Sequence, residues 1–427
     1  MTPLKAIMIG AGQRGFAYAQ HAITHPQDLQ LIGVAEPHEK RRNDFAKKHH
    51  IPSANAFENW EDIFAKEKWA DVVMICTPDD AHFEPVMAAI KQGYDILLEK
   101  PISPSQQECE GVAAAAAEKS VKIVVCHVMR YTPFCIAIKK VIDSGEIGNI
   151  VTVVHNENVG HVHQSHSFVR GNWRNSYLSS PMILQKCCHD MDMLQWFIGK
   201  ECLRLSSFGS LSYFNEENCP KGAPPRCTDG CTVDCPYDSR KLYLKSNSEW
   251  FRSVAAGHPN PTDEEVEAAL KTGLYGRCVY QCDNNVVDHQ VVSMEFEDGV
   301  TAIFSMTAFT PETSRSIKIM GTKGQIKAHT GYDKIIVSDF ITGKDREISI
   351  KSDGGHGGGD EGIMRAFCDY VRGRDIAGIS DIHVSAKSHQ LCFAAEESRL
   401  NNGAIVELGT YERLTSPLSA TPTSPLQ

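Results

Sequence analysis

The chain lacks a long apolar run. No stretch approaches the ~18 residues that a membrane-crossing helix needs, so no membrane span is expected. It also lacks a basic excess. Lys and Arg number 43 against 53 Asp and Glu, a formal net charge of -10, and no basic cluster offsets this. A nucleic-acid partner is therefore not expected. No charged-then-apolar leader precedes the first strand-like segment, which points to a cytoplasmic protein. The tight C-x2-C pair of zinc knuckles is missing too, although cysteine itself is abundant at 15 residues. Cys76, Cys126, Cys368 and Cys392 fall in strand- or helix-like segments, where buried free thiols are ordinary. In a reducing compartment few disulfides form.

What is present begins with size. At 427 residues and 42% hydrophobic content, two domains with ample cores are expected. The first thirty-six residues set the pattern. Residues 4–9 read LKAIMI, an apolar run. Gly10-Ala11-Gly12-Gln13-Arg14-Gly15 follows, then a helix-compatible stretch (16–24), then a second apolar run (29–35) ending on Glu36. Strand, glycine turn, helix, strand and acid is the dinucleotide-binding order. Gly10 permits the turn, Gly12 lets the backbone approach a pyrophosphate, and Gly15 lets helix and strand pack closely. The helix start offers N–H groups to phosphate. Glu36 accepts from ribose hydroxyls and repels a 2′-phosphate, which favours NAD over NADP. Arg41 and Arg42, expected on the next helix, weaken that preference slightly. A glycine turn with no ligand is the alternative.

Strand and helix alternate through to about residue 130: helices at 39–49, 60–66, 84–92 and 105–119, strands at 70–75, 95–98 and 122–126. That order specifies a doubly wound parallel sheet, whose ligands lie off the carboxyl ends of its strands. Polar clusters stand at three such ends: Thr77-Pro78 with His82, Glu99-Lys100, and His127 with Arg130 and Tyr131. Gln13, Arg14, Thr77, Pro78, His82, Glu99, Lys100 and His127 are the cofactor-side candidates. Lys100 precedes Pro101, where a cis peptide would turn the lysine into the cleft. It can bind a substrate hydroxyl there; a solvated lysine at a loop start is the plainer alternative.

The GAGQRG turn, the CTPDDAH segment and the EKP tripeptide resemble the glucose–fructose oxidoreductase / inositol dehydrogenase / MocA family over most of residues 1–200 and 285–400. The resemblance implies an NAD(P)-binding Rossmann domain (1–130) and a C-terminal α/β domain with an open, mostly antiparallel sheet (131–414). It implies that Lys100 is the active-site lysine, and it suggests a homodimer or homotetramer.

In the second domain, residues 157–174 are the densest polar stretch. His161, His163, His166, Arg170, Trp173 and Arg174 read as a sugar-binding loop, with Trp173 and Arg174 near the nicotinamide. The alternatives are a solvated histidine-rich loop, or a metal shared by His163 and His166. Residues 181–198 show helical periodicity, with Gln185, His189, Asp192 and Trp196 on one face. The resembling family carries D-x-x-x-H on this helix. His189 fits its histidine, but Gln185 stands at the acid. A glutamine positions a hydroxyl without taking its proton, which leaves proton transfer to His189 with Lys100 or with help from Lys186. A satisfied core histidine is the alternative for His189.

Residues 212–282 interrupt the strand pattern and hold six cysteines. Cys227, Cys231 and Cys235 could clasp zinc with Cys219 or Cys278 as a fourth ligand; free thiols or disulfides are the alternatives. Residues 262–271 begin an acidic, solvated helix. Strand-like segments then resume at 286–296, 301–307, 316–320, 325–329 and 334–338, with turns at 298–299 and 321–324 fitting hairpins. Asp288 opens the first of them and is a substrate-side candidate. The glycine-rich segment 354–360 is either a flap bringing His356 to the substrate or a plain linker. Helices are expected at 361–371 and 385–400, and a disordered tail at 415–427.

The substrate-side candidates are thus Lys100, Arg130, Tyr131, His163, His166, Arg170, His189, Asp288 and His356. The expected function is an NAD-dependent oxidoreductase acting on a secondary hydroxyl of a sugar, glycoside or polyol. An NAD-dependent glycosidase, working by transient oxidation, elimination, hydration and re-reduction, is the alternative. A non-catalytic sugar or NAD sensor is a third reading.

Overall fold

A computed structural model describes residues 2–245, 248–351 and 353–409; the expected tail at 415–427 lies outside these. Six strands form the first sheet: β1 (Leu4–Ile9), β2 (Leu29–Ala35), β3 (Ala56–Phe57), β4 (Val72–Ile75), β5 (Asp95–Leu98) and β6 (Ile123–Val125). Their order is β3-β2-β1-β4-β5-β6, and every pairing is parallel. Strands β4 and β6 are buried along their whole length, as sheets covered by helices on both faces require. The order reverses direction beside β1, the switch point where such sheets bind ligands.

The second sheet has nine strands. They are β7 (Ile150–Asn158), β8 (Cys202–Ser210), β9 (His289–Phe296), β10 (Thr301–Thr307), β11 (Ser314–Gly321), β12 (Gly324–His329), β13 (Lys334–Asp339), β14 (Asp345–Ser349) and β15 (Val406–Glu407). Their order is β14-β13-β12-β11-β7-β10-β9-β8-β15. All pairings are antiparallel except β7 with β10. Helices Pro133–Asp143, Cys188–Ile198 and Ile382–Leu400 bury one face through Phe134, Ile138, Leu194, Phe197 and Leu391. The other face is open, with Val151, Phe208, Val291 and Ile303 exposed. No helix among the described residues is long and apolar enough to cross a membrane.

The chain returns to the first sheet after the second is built. Helix Gly359–Val371 inserts Ile363, Met364 and Phe367 into one apolar layer of the first domain. Ile382 and Ala386 join the layer on the other side.

Two local expectations are corrected. Residues 181–198 are not one helix. Met182–Gln185 and Cys188–Ile198 are separate, broken at Lys186 and Cys187, where Cys187 has ψ 5°. The break takes Gln185 off the inferred face, while His189, Asp192 and Trp196 keep a common side of the second helix. The polar stretch after β7, expected as a sugar-binding loop, is helical. His161–His163 is α-helical, and Gln164–Arg170 is a π-helix buried at all seven positions.

Candidate active site

The glycine turn follows β1. Gly10 has φ +87°, and a Cβ there would lie 2.7 Å from the Cys76 backbone; a Cβ on Gly15 would meet Gly10 O at 2.3 Å. At Gly12 a Cβ would meet nothing within 4 Å. Packing thus demands the outer glycines, while the middle one faces open space, the opening a pyrophosphate needs. No side chain caps helix Gln13–Thr24, so its first N–H groups are available to an anion.

Glu36, buried beyond β2, accepts from Ala11 N–H at 2.9 Å and His38 N–H at 3.0 Å. These bonds hold the carboxylate beside the turn, and its remaining lone pairs suit ribose hydroxyls. Arg41 and Arg42 do lie on the next helix, Glu39–Lys48, yet both reach back. Arg41 Nη1 is 3.6 Å from Glu36 Oε1, and Arg42 Nη1 donates to Glu36 O at 2.6 Å. The empty cradle at Gly12, the uncapped helix and this acid together fit a dinucleotide.

Lys100 follows β5, and its bond to Pro101 is cis. Its Nζ donates to Gln185 O at 2.7 Å and Gln185 Oε1 at 3.1 Å. On its other side, Gln185 Nε2 donates to Asp79 Oδ2 at 3.3 Å. Asp79 also accepts from Ser179 Oγ at 3.1 Å and from Ser180 Oγ. Gln185 therefore sits between a cation and a carboxylate, with the matching end of its amide toward each. A carboxylate at 185 would face Asp79, so the glutamine avoids a like-charge contact.

His189 is buried, and its Nδ1 has no hydrogen-bond partner. Burial, then the charge of Lys100, holds its pKa well below the usual histidine range. It is a neutral base near the lysine. His127 stands 5.7 Å from His189 and 5.6 Å from His389, ring to ring. Burial, then Arg130 and Lys100, keep it neutral as well. His389 donates Nδ1–H to Ser385 O at 2.7 Å and accepts from Ile102 N–H at 2.9 Å on Nε2. It thereby holds the backbone just past Lys100-Pro101. His163 is lowered by burial, then by Lys186 and His166, with Lys100 contributing. Lys186 pairs with Glu157 at 3.2 Å.

Several other candidates are committed elsewhere. Arg14 bonds Glu99 at 2.9 Å and Asp360 at 2.7 Å. It ties the glycine turn to the lysine segment and the glycine-rich segment rather than facing a ligand freely. Burial pushes the Glu99 carboxyl up, but Arg14 and Lys100 hold it below its ordinary range. His356 Nδ1 lies 3.0 Å from Asp360, beside the same arginine. Thr77 Oγ1 donates to Ala81 O at 3.0 Å, and Pro78 precedes the short turn Asp79–Ala81. The His82 ring lies between Pro101 O and Thr77 O, at 2.8 and 2.9 Å, and braces the loop from beneath.

The substrate-side list shrinks for the same reason. Arg130 is buried on Asp192 at 2.6 Å, and Tyr131 Oη lies 2.9 Å from Ser380 Oγ. Arg170 is fully buried and donates to Arg277 O and Tyr237 O at 2.8 and 2.6 Å. His166 is 2.9 Å from Tyr243 Oη and stacks on Tyr275. Trp173 packs on Phe168, and Arg174 forks onto Asp283 at 2.6 and 2.9 Å. Asp288 accepts from Ser212 and Tyr213 N–H at 2.9 and 2.8 Å. Each is a structural bond that residue type alone could not distinguish from a ligand contact.

The metal expectations gain no support. Among the described residues no group of three His, Cys, Asp or Glu could hold an ion, and all the cysteines are free. Cys227, Cys231, Cys235 and Cys278 line one small cavity with Arg170. The guanidinium stands 3.9 Å from Cys227 Sγ, a cation among the thiols.

Sequence reasoning missed Asp79, His389 and Trp250, whose indole Nε1 donates to Gln13 Oε1 at 3.2 Å. Asp79 lies within a segment already singled out. His389 sits 287 residues from Ile102 and Trp250 sits 237 residues from Gln13, and no local signal marks those contacts.

Comparison with known proteins accords with this arrangement. YteT of Bacillus subtilis, named as an oxidoreductase, is 24% identical over 391 residues, covering 86% of this chain and 88% of its own. The inositol 2-dehydrogenase of Rubrobacter xylanophilus is 26% identical over 200 residues, 45% of this chain and 52% of its own. This chain thus spans about half the length of that dehydrogenase. An inositol dehydrogenase homologue from Azotobacter vinelandii, solved with NAD+, superposes with a TM-score of 0.69 at 14% identity, covering 95% and 98% of the two chains. A levoglucosan dehydrogenase solved with NADH and L-sorbose gives 0.70 at 18% identity, covering 96% and 100%. Residues 4–127 match the oxidoreductase family's NAD-binding Rossmann fold, and residues 139–383 match its C-terminal alpha/beta domain. The chain belongs to this glucose–fructose oxidoreductase / inositol dehydrogenase / MocA oxidoreductase family.

Proposed function

We propose that the chain is an NAD-dependent dehydrogenase acting on a secondary hydroxyl of a sugar, glycoside or polyol. The observation that carries this is the neutral His189, its Nδ1 unpartnered, near a Lys100 held by Gln185. Lys100 Nζ donates to the substrate oxygen and steadies it as negative charge develops. The neutral His189 imidazole accepts the hydroxyl proton, as general base catalysis requires. Gln185 fixes the lysine, and Lys186 with His163 supplies polar groups for neighbouring hydroxyls. Bound NAD supplies a hydride acceptor. The relatives named for inositol and levoglucosan support a polyol or sugar class. A homodimer or homotetramer in the cytoplasm is part of the proposal.

The test incubates the protein with NAD and, separately, myo-inositol, scyllo-inositol, common hexoses and aryl glycosides, following NADH. Formation of NADH with a polyol or sugar supports the reading. One observation favours a second reading: His163 and Lys186 add acid–base groups beyond those a simple oxidation uses. Release of aglycone without net NADH would identify the NAD-dependent glycosidase. Binding without any turnover would identify a sensor.

Cofactor choice rests on Glu36. Replacing it by alanine removes acceptors for the ribose hydroxyls and frees Arg41. The NADH Kd should rise roughly 10- to 100-fold, as for charged hydrogen bonds, while NADPH binding improves relative to NADH. Paired titrations with the two cofactors measure this; equal losses for both would count against a role at the ribose.

A further inference from the structure

The cysteine-bearing insertion has no task in the function just proposed, yet one of its side chains reaches the glycine turn. Trp250 lies in the first turn of helix Glu249–Ala256, whose start is capped by Ser248. Its indole Nε1 donates to Gln13 Oε1 across 237 positions of sequence. Gln13 is the first residue of the helix that follows the turn. The indole N–H can only donate, so it must face the amide oxygen. That fixes the amide and leaves its Nε2 hydrogens for another acceptor. The same ring packs edge-on against His163 at 5.4 Å and His166 at 4.9 Å, yet remains 40% exposed. One indole therefore touches the cofactor turn on one side and the His163 wall on the other.

We propose that Trp250 is a cofactor clasp: the insertion brings an indole over the glycine turn, orients the Gln13 amide toward the dinucleotide pyrophosphate, and slows cofactor departure. The inference rests on the dinucleotide reading above. A large ring bound at one edge to Gln13 and backed by two imidazoles is a fixed wall. A ligand lying on Gly12 would have it for a neighbour. The Gln13 amide, with its oxygen taken, presents donors of the kind a phosphate oxygen accepts.

The test titrates the full chain with NADH, by calorimetry, in five forms: unaltered, Trp250→Phe, Trp250→Ala, Gln13→Ala, and Trp250→Phe with Gln13→Ala. Trp250→Phe keeps the packing and loses the hydrogen bond, so its Kd should rise roughly 3- to 10-fold. Trp250→Ala should weaken binding further. The double variant should bind no more weakly than Gln13→Ala alone, because both changes remove one interaction. Thermal melts check that each form is folded; a purely structural tryptophan would lower the melting temperature without this coupling. If the unaltered chain binds NADH and Trp250→Phe binds equally well, or if the losses in the double variant add, the clasp is wrong. If the unaltered chain fails to bind NADH, the dinucleotide reading itself falls, and the clasp with it.

Discussion

Replacing Lys100 by methionine should lower kcat about 1,000-fold, within the range for loss of a positioned acid–base group, while leaving the protein folded. Methionine keeps an unbranched stem of similar reach and removes the donors. The ammonium bonds the Gln185 backbone O at 2.7 Å and its Oε1 at 3.1 Å, so the variant leaves the Gln185 amide its bond to Asp79 but not its bond to the lysine. The fold does not depend on these bonds. Lys100 is only half-buried, and the bracing from His82 and His389 acts on backbone carbonyl and N–H groups of residues 101 and 102. Melting temperature and the NADH Kd should therefore move little. Arginine should not restore the rate, because a planar fork cannot place one donor where a tetrahedral ammonium does. Steady-state kinetics with whichever polyol proves active measure the change. A methionine variant within tenfold of the unaltered rate would remove Lys100 from the chemistry.

A second large effect is loss of stability in mild acid. His127, His189 and His389 are buried, and burial lowers all three, His389 to about 3. In the unfolded chain each has a pKa of about 6.5. Below that pH the unfolded chain binds protons that the folded chain refuses, so stability falls as pH falls. The slope is about 1.4 kcal/mol per pH unit for each histidine, or about 4 kcal/mol per unit for the three. Full stability is present above about pH 6.5 and is lost below it. Depressed carboxylates such as Glu99 and Asp190 add their losses only at lower pH. Urea midpoints at pH 7, 6 and 5 would show the decline. A midpoint unchanged from pH 7 to pH 5 would mean that these imidazoles are not held neutral.

The parallel sheet was legible because its signals are local. An apolar run of four to seven residues, a glycine turn and a helix cap each occupy a few consecutive positions, and β2 and β5 fall at the expected residues. The antiparallel hairpin around Asp298-Gly299 was equally readable, since both residues take positive φ. What escaped depends on pairings distant in sequence. The helix at 181–198 has an unbroken apolar period, yet it breaks where Lys186 turns to Glu157. The histidine-rich segment reads as a loop because residue type does not report burial; its π-helix packs His166 against aromatic rings contributed from beyond residue 240. Within the site, spacing marked Gly10, Gly12, Gly15 and Glu36, while Lys100 was marked by its place at a strand end before Pro101 and by the EKP resemblance. Whether Arg130, Arg170, Arg174 or Asp288 met a ligand or a structural partner depended on which acceptor lay across from each arginine and which N–H lay across from the aspartate. Composition cannot supply that.

The return of the chain onto the first sheet after residue 358 has a practical consequence. Ile363, Met364 and Phe367 complete one apolar layer of the nucleotide half, and Ile382 and Ala386 complete the other. A polypeptide cut after residue 130 would leave both layers uncovered, so the Rossmann half by itself should be sticky and poorly soluble. Supplying residues 355–400 as a separate peptide should restore it, much as a missing stave closes a cask.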